Sequence, residues 1–310
     1  MKNHARSYLS PILVTGAHRS GTTWVGKMLA AAPGMAYISE PLNVLHRPGV
    51  FEAPVSHWYT YITEENESSY LLAFQKTLAY RYDLLAELRS LRSGRDVLRM
   101  MRDLYTFTVG RLQKRRPLLK DPFAVFSLEW FAKRLNCRVV VTVRHPAAFA
   151  SSLKRLGWKF NLQKNLFTQP LLVRDYLEAY REAFEAKPPK DLIDQAAWLW
   201  RIIYHTVWQI RQRHPEFQIV RQEDLSLDPI GGFRQIYHTL GLDFTSRVEQ
   251  TILTSSGSEN PVELTRTHSI RLNSRASLHN WKKRLTEEEI ARIRTLTADT
   301  WPLYYTEDEW

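Results

Sequence analysis

The chain has 310 residues, 44% of them hydrophobic and 24% charged, a balance typical of globular proteins with ample material for a core. Its formal net charge of +11 favours anionic partners, among them nucleotides, acidic glycans, nucleic acid and membrane surfaces. Cys137 is the only cysteine, which excludes an intrachain disulfide and a cysteine-based metal site.

We expect no signal peptide, because the basic N-terminus leads into a continuous run of only four apolar residues, at positions 11–14. No stretch approaches the roughly 18 consecutive apolar residues of a membrane span. We therefore expect a soluble protein of a reducing compartment, the cytoplasm.

Short apolar runs alternate with helical patterns along the chain. Strands are predicted at residues 12–15, 36–39, 118–120, 138–143 and 217–220. Helices are predicted at residues 22–32, 127–135, 146–156, 191–213, 232–240 and 286–297. The alternation predicts one α/β domain over residues 1–310, with a P-loop-type three-layer fold in which helices cover both faces of a central parallel sheet.

Three segments interrupt this alternation. Residues 61–116 are charged and mostly helical in pattern, which predicts a helical insertion over the active-site edge. Residues 157–169 and 255–280 are predicted to be loops large enough to cover a site. The last helix is predicted to begin at Thr286, an N-cap threonine with Glu289 three positions later.

The most informative motif follows the first strand and has the sequence Thr-Gly-Ala-His-Arg-Ser-Gly-Thr-Thr-Trp, residues 15–24. Gly16 and Gly21 have the spacing of an ATP-type phosphate loop, but Thr22 occupies the position of its lysine. We expect the backbone N–H groups of residues 20–23 to point at a phosphate, at the start of a helix whose dipole favours negative charge. Arg19 can add a bidentate contact to the same anion.

A second basic motif follows the strand at residues 138–143. That strand ends in Arg144, where a Mg-ATP enzyme often carries the aspartate that helps to hold the metal. Ser152 follows eight residues later, about two turns into the next helix. We expect Arg144 and Ser152 to bind a second phosphate together.

The two motifs together resemble those of the PAPS-dependent sulfotransferases, over residues 11–297. The Glu223-Asp224-Leu225 turn and the segment Asn280-Trp281-Lys282-Lys283 are similar to later parts of that family. The resemblance implies that 3′-phosphoadenosine 5′-phosphosulfate (PAPS) is the donor, that PAP is the product and that no metal is required. It implies that the 5′ side of PAPS is held by Arg19, Ser20, Gly21, Thr22 and Thr23, with Trp24 near the adenine, and the 3′-phosphate by Arg144 and Ser152. Arg271 and Arg275, in the loop at residues 255–280, are further candidates for the 3′-phosphate by analogy.

Sulfuryl transfer requires a base for the acceptor and cations where charge develops on the leaving phosphate. Glu40, in Ser39-Glu40-Pro41, is the first choice for the base, since bacterial carbohydrate-type and tyrosylprotein-type sulfotransferases are similar here. The histidine that serves the cytosolic branch is missing, because Lys120 is followed by Asp121 and Pro122. We expect Arg19 to neutralise the leaving phosphate and Lys120 to contact the sulfuryl group or the leaving oxygen.

The roles of several neighbouring residues are less specific. Asp121 could orient Lys120 or contact the acceptor, and this choice stays open. His18 and His145 flank the two arginines and are expected to be structural. Trp158 and Phe160 are the best candidates for stacking on a sugar.

The expected acceptor is a hydroxyl of a carbohydrate or glycolipid. Small phenols or alcohols and a peptide tyrosine stay open, as do two other classes of protein, a P-loop kinase using Mg-ATP and a non-catalytic binder of anionic glycans. We expect no nucleic-acid partner, because the basic run at residues 111–116 is typical of a solvated helix end. The sequence carries no signal for the oligomeric state.

Overall fold

The computed structural model describes residues 10–263 and 270–310, and its centre is a sheet of five parallel strands. The strands are β1 Ile12–Gly16, β2 Met35–Ser39, β3 Arg116–Lys120, β4 Arg138–Val143 and β5 Gln218–Arg221, in the spatial order β2-β3-β1-β4-β5. All five predicted strands are present. β3 begins at Arg116, earlier than predicted, because its first residues pair with Met35 and Ala36 of β2.

Helices connect the strands and cover both faces of the sheet. They are α1 Thr22–Ala30, α2 Leu71–Leu78, α3 Leu84–Ser90, α4 Gly94–Leu112, α5 Leu128–Leu135, α6 Pro146–Leu156, α7 Glu178–Ala186, α8 Leu192–Arg213, α9 Gln222–Leu227, α10 Pro229–Leu240, α11 Ser246–Ser256 and α12 Glu287–Leu296. The predicted helical insertion contains α2, α3 and α4. Thr286 and Glu289 form the predicted capping box at the start of α12.

The loop prediction for residues 157–169 was wrong in its second half, where Gln163–Phe167 is a helical turn. Two buried side-chain amides tie this turn to residues 58–61 of the same chain. Asn165 accepts a hydrogen bond from the backbone N–H of Trp58 at 3.1 Å, and Gln169 accepts one from that of Tyr61 at 2.8 Å. Such distant partners leave no periodic signal in the local sequence.

The sheet separates two hydrophobic clusters, which confirms the three-layer fold. In β1 the side chains alternate, so that Leu13 joins the cluster on one face while Ile12 and Val14 join the cluster on the other. The first cluster includes residues of α6 and α8, and the second includes residues of α1 and α10. All four residues from Ile12 to Thr15 are fully buried, as expected for a strand covered on both faces.

The register brings the ends of four strands to the same edge of the sheet. Lys120, at the end of β3, lies opposite Ser39 of β2 and Val14 of β1. Thr142 of β4 lies opposite Gly16 of β1. The segments that follow these strands therefore meet at the carboxyl edge, which is where open α/β sheets bind ligands.

Candidate active site

The loop after β1 contains three residues with positive φ, two of which are glycines. Gly16 has φ of 135°, and a Cβ atom at this position would lie 2.2 Å from the carbonyl oxygen of Thr142. Gly21 has φ of 94° and directly precedes α1. Arg19 also adopts a left-handed conformation, with φ of 69°, which is strained for a residue with a side chain. The loop is thus fixed in a tight turn that ends at the N-terminus of α1.

The structure corrects the expected part played by Ser20. Its backbone N–H donates to the carbonyl oxygen of Ala17 at 3.1 Å, and its hydroxyl lies 2.8 Å from that of Thr142. Ser20 is fully buried and does not line either cleft described below. It closes the turn from inside, so the N–H groups left for an anion are those of Gly21, Thr22 and Thr23 at the helix start.

A cleft at the carboxyl edge, here called the donor cleft because the sequence predicts the sulfuryl donor at its residues, brings the two basic motifs together. Its lining includes Arg19, Gly21, Thr22, Thr23, Trp24, Arg144, Ser152, Arg155 and Arg284. Nε of Arg19 donates to the hydroxyl of Ser152 at 3.2 Å, and Nη1 of Arg144 donates to the carbonyl oxygen of Arg19 at 3.0 Å. These contacts join residues more than a hundred positions apart and make one cationic wall.

The charges in this wall repel one another. Burial, followed by the charges of Arg144 and Arg155, lowers the pKa of Arg19 to about 10. Burial also lowers the pKa of Arg144. Because a guanidinium group stays protonated far above neutral pH, these arginines give the cleft a strong positive potential that an anion would relieve.

Buried polar contacts hold Arg144 at the end of β4. Its carbonyl oxygen accepts a hydrogen bond from the indole of Trp200 at 2.8 Å. The next backbone N–H, that of His145, donates to Glu223 at 2.9 Å, and the other oxygen of Glu223 accepts from the hydroxyl of Tyr305 at 2.9 Å. The Glu-Asp-Leu turn thus positions the second basic motif.

Trp24 forms part of the donor cleft and is held on two sides. Its indole N–H donates to Ser255 at 2.9 Å, and its ring packs edge-on against Phe233 with centroids 5.3 Å apart. A fixed aromatic surface next to the phosphate loop suits a nucleotide base.

The C-terminal loop contributes to the donor cleft through residues other than the arginines predicted. Arg275 is exposed and its guanidinium donates to the carbonyl oxygen of Leu227 at 3.1 Å, so it does not line the cleft, and neither does Arg271. Ser274, Ser277 and Arg284 line it instead. Residues 264–269 of the predicted covering loop lie outside the described residues.

Two lining arginines escaped the sequence reasoning. Arg155 lies three residues after Ser152, and this helical spacing places both side chains on the same face of α6, a signal that could have identified it. Arg284 follows Trp281-Lys282-Lys283, and nothing in its local pattern separates it from the preceding lysines.

A second cleft, here called the acceptor cleft because it contains the predicted base Glu40, also includes residues of this loop. Its lining combines two equal sets of residues. One set is aromatic or apolar, namely Leu45, Trp58, Pro122, Phe123, Gly157, Trp158 and Phe160, and the other is polar or charged, namely His18, Arg19, Thr22, Thr23, Glu40, Asn43 and Lys159. Arg19, Thr22 and Thr23 belong to both clefts. Arg19 also lies against the ring of Trp158, 5.8 Å from its centroid.

Glu40 lies in the acceptor cleft and is held by three contacts. Lys120 forms an ion pair with one carboxylate oxygen, and the side-chain amide of Asn43 donates to the other at 2.7 Å. The backbone N–H of Glu40 donates to the carbonyl oxygen of Lys120 at 2.8 Å. Like Arg19, Glu40 has a positive φ, here 53°, so two of the three residues predicted to act in catalysis have strained backbones, the exception being Lys120.

Asp121 has a structural part in this geometry. Its buried carboxyl group accepts hydrogen bonds from the backbone N–H groups of Leu42 at 2.6 Å and Phe123 at 3.0 Å. Burial raises its pKa to about 7. It does not line either cleft and instead ties the turn after β2 to the end of β3.

The two histidines beside the arginines lie in aromatic surroundings. His18 lines the acceptor cleft, and its Nδ1 shares a hydrogen bond with the hydroxyl of Tyr59. Burial and the charge of Arg19 lower the pKa of His18 to about 4. His145 stacks on Trp281 with centroids 5.1 Å apart, and neither of its ring nitrogens has a hydrogen-bond partner among the described residues.

Comparison with known proteins gives the class of this enzyme. The family model described as the sulfotransferase family matches residues 11–246. The chain therefore belongs to the sulfotransferase family, and the protein is a sulfotransferase. It is 24% identical over 336 residues to human carbohydrate sulfotransferase 5, an alignment that covers 93% of this chain and 75% of that protein.

Two solved sulfotransferase structures align with most of this chain at low sequence identity. Mouse sulfotransferase SULT7A1 complexed with PAP aligns with a TM-score of 0.47 and 13% identity, over 97% of this chain and 86% of that one. Sulfotransferase STF9 from Mycobacterium avium aligns with a TM-score of 0.46 and 14% identity, over 99% of this chain and 80% of that one.

Residues 10–263 and 270–310 contain neither a membrane-spanning helix nor a cluster of metal-ligating side chains. Every helix in these ranges is too short or too polar to cross a membrane. The same ranges contain no group of three or more histidine, cysteine, aspartate or glutamate side chains placed to hold a metal ion.

Proposed function

We propose that the protein transfers a sulfuryl group from PAPS to a hydroxyl of a carbohydrate or glycolipid. The observation that carries this proposal is the sharing of Arg19, Thr22 and Thr23 by the donor and acceptor clefts. A sulfuryl group held at this loop is open to a nucleophile from one side while its leaving phosphate stays bound on the other. In-line displacement requires this arrangement.

The donor cleft fits a nucleotide with phosphates at two positions. Gly21, Thr22 and Thr23 suit the 5′-phosphosulfate, while Arg144 and Ser152 suit a 3′-phosphate beyond Arg19. Charge supports the same fit, because four arginines line the cleft against one carboxylate, Glu263, which is itself paired with Arg284.

The same positions disfavour the kinase alternative. Thr22 replaces the lysine that an ATP-type loop uses on the β- and γ-phosphates. Arg144 occupies the strand end where an aspartate often helps to hold magnesium. A non-catalytic glycan binder would not require two separate phosphate-binding motifs, the loop at residues 15–24 and the pair Arg144 and Ser152.

Glu40 and the nearby cations provide the groups that transfer requires. As the acceptor oxygen bonds to sulfur, its proton passes to the carboxylate of Glu40. The bond between sulfur and the 5′-phosphate oxygen breaks, and its electron pair leaves with the phosphate. Arg19 balances the charge on that phosphate. Lys120 is buried and lines neither cleft, so its part is to hold the carboxylate of Glu40 through their ion pair rather than to contact the sulfuryl group as the sequence predicted.

The lining of the acceptor cleft supports a carbohydrate acceptor. Trp158, which is 41% exposed, and the half-buried Trp58 offer ring surface for a sugar, while Phe123 and Phe160 line the cleft as buried rings. Asn43 and Lys159 offer polar partners for its hydroxyls. The similarity to a human carbohydrate sulfotransferase favours the same class. An aromatic cleft would also accept a phenol, so phenols and a tyrosine peptide belong in the acceptor screen.

Two measurements test the proposal. PAP without magnesium is expected to raise the melting temperature, and stabilisation by Mg-ATP alone would support a kinase instead. Labelled PAPS is then incubated with glycans, glycolipids, phenols and tyrosine peptides. Transfer to glycans or glycolipids is expected, and transfer to phenols or peptides alone would overturn the acceptor class while leaving the donor intact.

A further inference from the structure

Helix α4 carries an apolar stripe on the side that faces away from the core. Met100 and Phe107 pack inward. The outward residues Leu98, Met101, Tyr105 and Leu112 are 73%, 57%, 68% and 77% exposed. Their spacing of three, four and seven residues places them on one side of the helix. An ordinary surface helix is polar on this side, so the stripe requires an explanation.

Helix α3, which directly precedes α4, repeats the pattern. Its inward residue is the buried Glu87, whereas Leu84, Leu85 and Leu88 are exposed. The two consecutive helices thus present seven exposed large apolar side chains, or eight with Val97. Single exposed leucines are common on protein surfaces, but a run of them along two helices is typical of an interaction surface.

The charged residues around these side chains are almost all basic. Arg89, Arg92, Arg95, Arg99 and Arg111 are exposed, and none forms an ion pair with another described residue. The carboxylates of the same helices are withdrawn from the surface. Arg47 pairs with both Glu87 and Asp96, and Asp103 is paired with Arg102. The outward surface therefore combines apolar side chains with uncompensated positive charge.

We propose that this outward surface of α3 and α4, here called the docking surface, binds an anionic lipid bilayer. Its apolar side chains would enter the boundary between headgroups and acyl chains, while its arginines would contact headgroup phosphates. The proposal goes beyond sulfuryl transfer and does not depend on it.

Charge complementarity selects a bilayer over a second copy of the chain. A two-fold interface would place the arginines of one copy against those of the other. Neither α3 nor α4 exposes a carboxylate to offset that repulsion. An anionic bilayer offers both an apolar layer and negative charge, which the surface requires together.

The docking surface lies close in the chain to the rim of the acceptor cleft. Leu45, which is 80% exposed, lines that cleft. Two residues later, Nη1 of Arg47 donates to Asp96 of α4 at 3.0 Å, and the same guanidinium pairs with Glu87 of α3. Residues 45–47 therefore connect the cleft rim directly to both docking helices.

Vesicle co-sedimentation tests the proposal on the full chain. Wild type is expected to bind vesicles made of equal parts of phosphatidylcholine and phosphatidylglycerol far more tightly than pure phosphatidylcholine, with an affinity that falls as salt rises. The triple variant Arg92→Gln, Arg95→Gln, Arg99→Gln is expected to bind the anionic vesicles on the order of 100-fold more weakly. Its control, Lys187→Gln, Arg211→Gln, Arg247→Gln, removes the same charge from exposed positions elsewhere and is expected to bind nearly as wild type.

A second pair of variants isolates the apolar part. Leu98→Ser with Leu112→Ser is expected to weaken binding to anionic vesicles at least about tenfold, because two exposed leucines no longer enter the bilayer. Leu227→Ser with Leu253→Ser makes the same chemical change at exposed positions outside the docking surface. Circular dichroism and the melting temperature check that all variants are folded.

Three results would overturn the proposal. One is equal binding of wild type to neutral and anionic vesicles. Another is an equal loss of vesicle binding in a docking-surface variant and in its matched control, which would indicate that the vesicles attract the protein through its net charge alone. The third is concentration-dependent dimerisation in sedimentation that Leu98→Ser with Leu112→Ser abolishes, which would identify a second copy as the occupant.

Discussion

Lys120 and Glu40 form an ion pair that joins the end of β3 to the turn after β2, although the two residues are eighty positions apart. Lys120 is 2% exposed, so its charge is withdrawn from water and requires this partner. The pair and the hydrogen bond from the backbone of Glu40 hold the carboxylate at the acceptor cleft. The proposed base therefore has a fixed position before any substrate binds.

Replacing the proposed base tests this geometry directly. Glu40→Gln is expected to reduce kcat by about 10²–10⁴-fold, because the acceptor then lacks a group to take its proton. PAP affinity, measured by calorimetry, is expected to stay within a few fold of wild type. Glu52→Gln, which removes an exposed carboxylate paired with Lys76, is the control and is expected to be fully active. A kcat for Glu40→Gln within a few fold of wild type would remove Glu40 from the mechanism.

The donor cleft predicts which C-terminal arginine contacts the nucleotide. Arg284→Gln is expected to weaken PAP binding about tenfold or more, since a charged hydrogen-bonding group contributes about 1.5–3 kcal/mol. Arg275→Gln is the matched control, because Arg275 donates to Leu227 outside the cleft. Titration calorimetry with PAP measures both. A loss of PAP affinity in Arg275→Gln alone would support the sequence-based prediction and would contradict the assignment of Arg284 to the nucleotide.

Trp158 is the most accessible of the aromatic residues in the acceptor cleft. It is 41% exposed and lies beside Arg19. Trp158→Ala is expected to raise KM for the acceptor roughly tenfold while leaving KM for PAPS unchanged, because a stacking contact contributes about 1 kcal/mol or more. Steady-state kinetics with each substrate varied in turn gives both values. An equal rise in both KM values would argue for a general distortion of the site.

The loop backbone makes a prediction about stability. Gly16→Ala is expected to lower the free energy of unfolding by about 3 kcal/mol or more, because the new Cβ would meet the carbonyl oxygen of Thr142 at 2.2 Å in a backbone with positive φ. Gly94→Ala, where a Cβ meets no atom within 4 Å, is the control. Urea denaturation measures both. A loss below about 1 kcal/mol for Gly16→Ala would mean that the loop can relax around the methyl group.

Buried His145 makes the fold sensitive to acid. Burial, and then the charge of Arg221, lowers its pKa from the ordinary 6.5 to about 3. Between pH 6.5 and about 3, the histidine is protonated in the unfolded chain but stays neutral in the folded protein. The free energy of unfolding therefore falls as the pH decreases through this range. When the pH is lowered from about 6.5 to about 4.5, the free energy of unfolding of His145→Phe is expected to fall by about 2 kcal/mol less than that of wild type.

Unfolding by urea across that pH range measures the difference. His238→Phe makes the same replacement at an exposed position of α10 and is expected to keep the slope of wild type. Parallel curves for wild type and His145→Phe would show that His145 does not cause the acid sensitivity.

Local sequence was sufficient for the strands and for the glycine-bounded turn that follows β1. Gly16, Gly21 and Arg19 belong to one short turn, and their conformations follow from residues a few positions away. The apolar runs that become buried strands are equally local, since a strand covered on both faces needs few polar residues. Arg144 and Ser152 were found in the same way, at the end of one strand and on the helix that follows it.

Other features depend on how distant segments pack. The sheet order places β3 between β2 and β1, and only this order brings Lys120 beside Glu40. Ser20 fits the local motif, yet its hydroxyl turns inward because Thr142 of β4 lies next to it. Arg275 and Arg284 are both basic residues of one segment, and the path of the backbone decides which of them reaches the cleft.

The sequence by itself therefore determined the α/β class, the glycine-bounded turn after β1 and the family, because these features are encoded in short segments with fixed spacing. Tertiary structure alone decided that the loop is shared by two clefts, that Glu40 is paired and that the outward surface of α3 and α4 is apolar. The physical reason is that exposure and pairing are properties of packed neighbours. Helical spacing shows which leucines of α4 lie on the same side of the helix, but it does not show whether that side faces the core or the solvent.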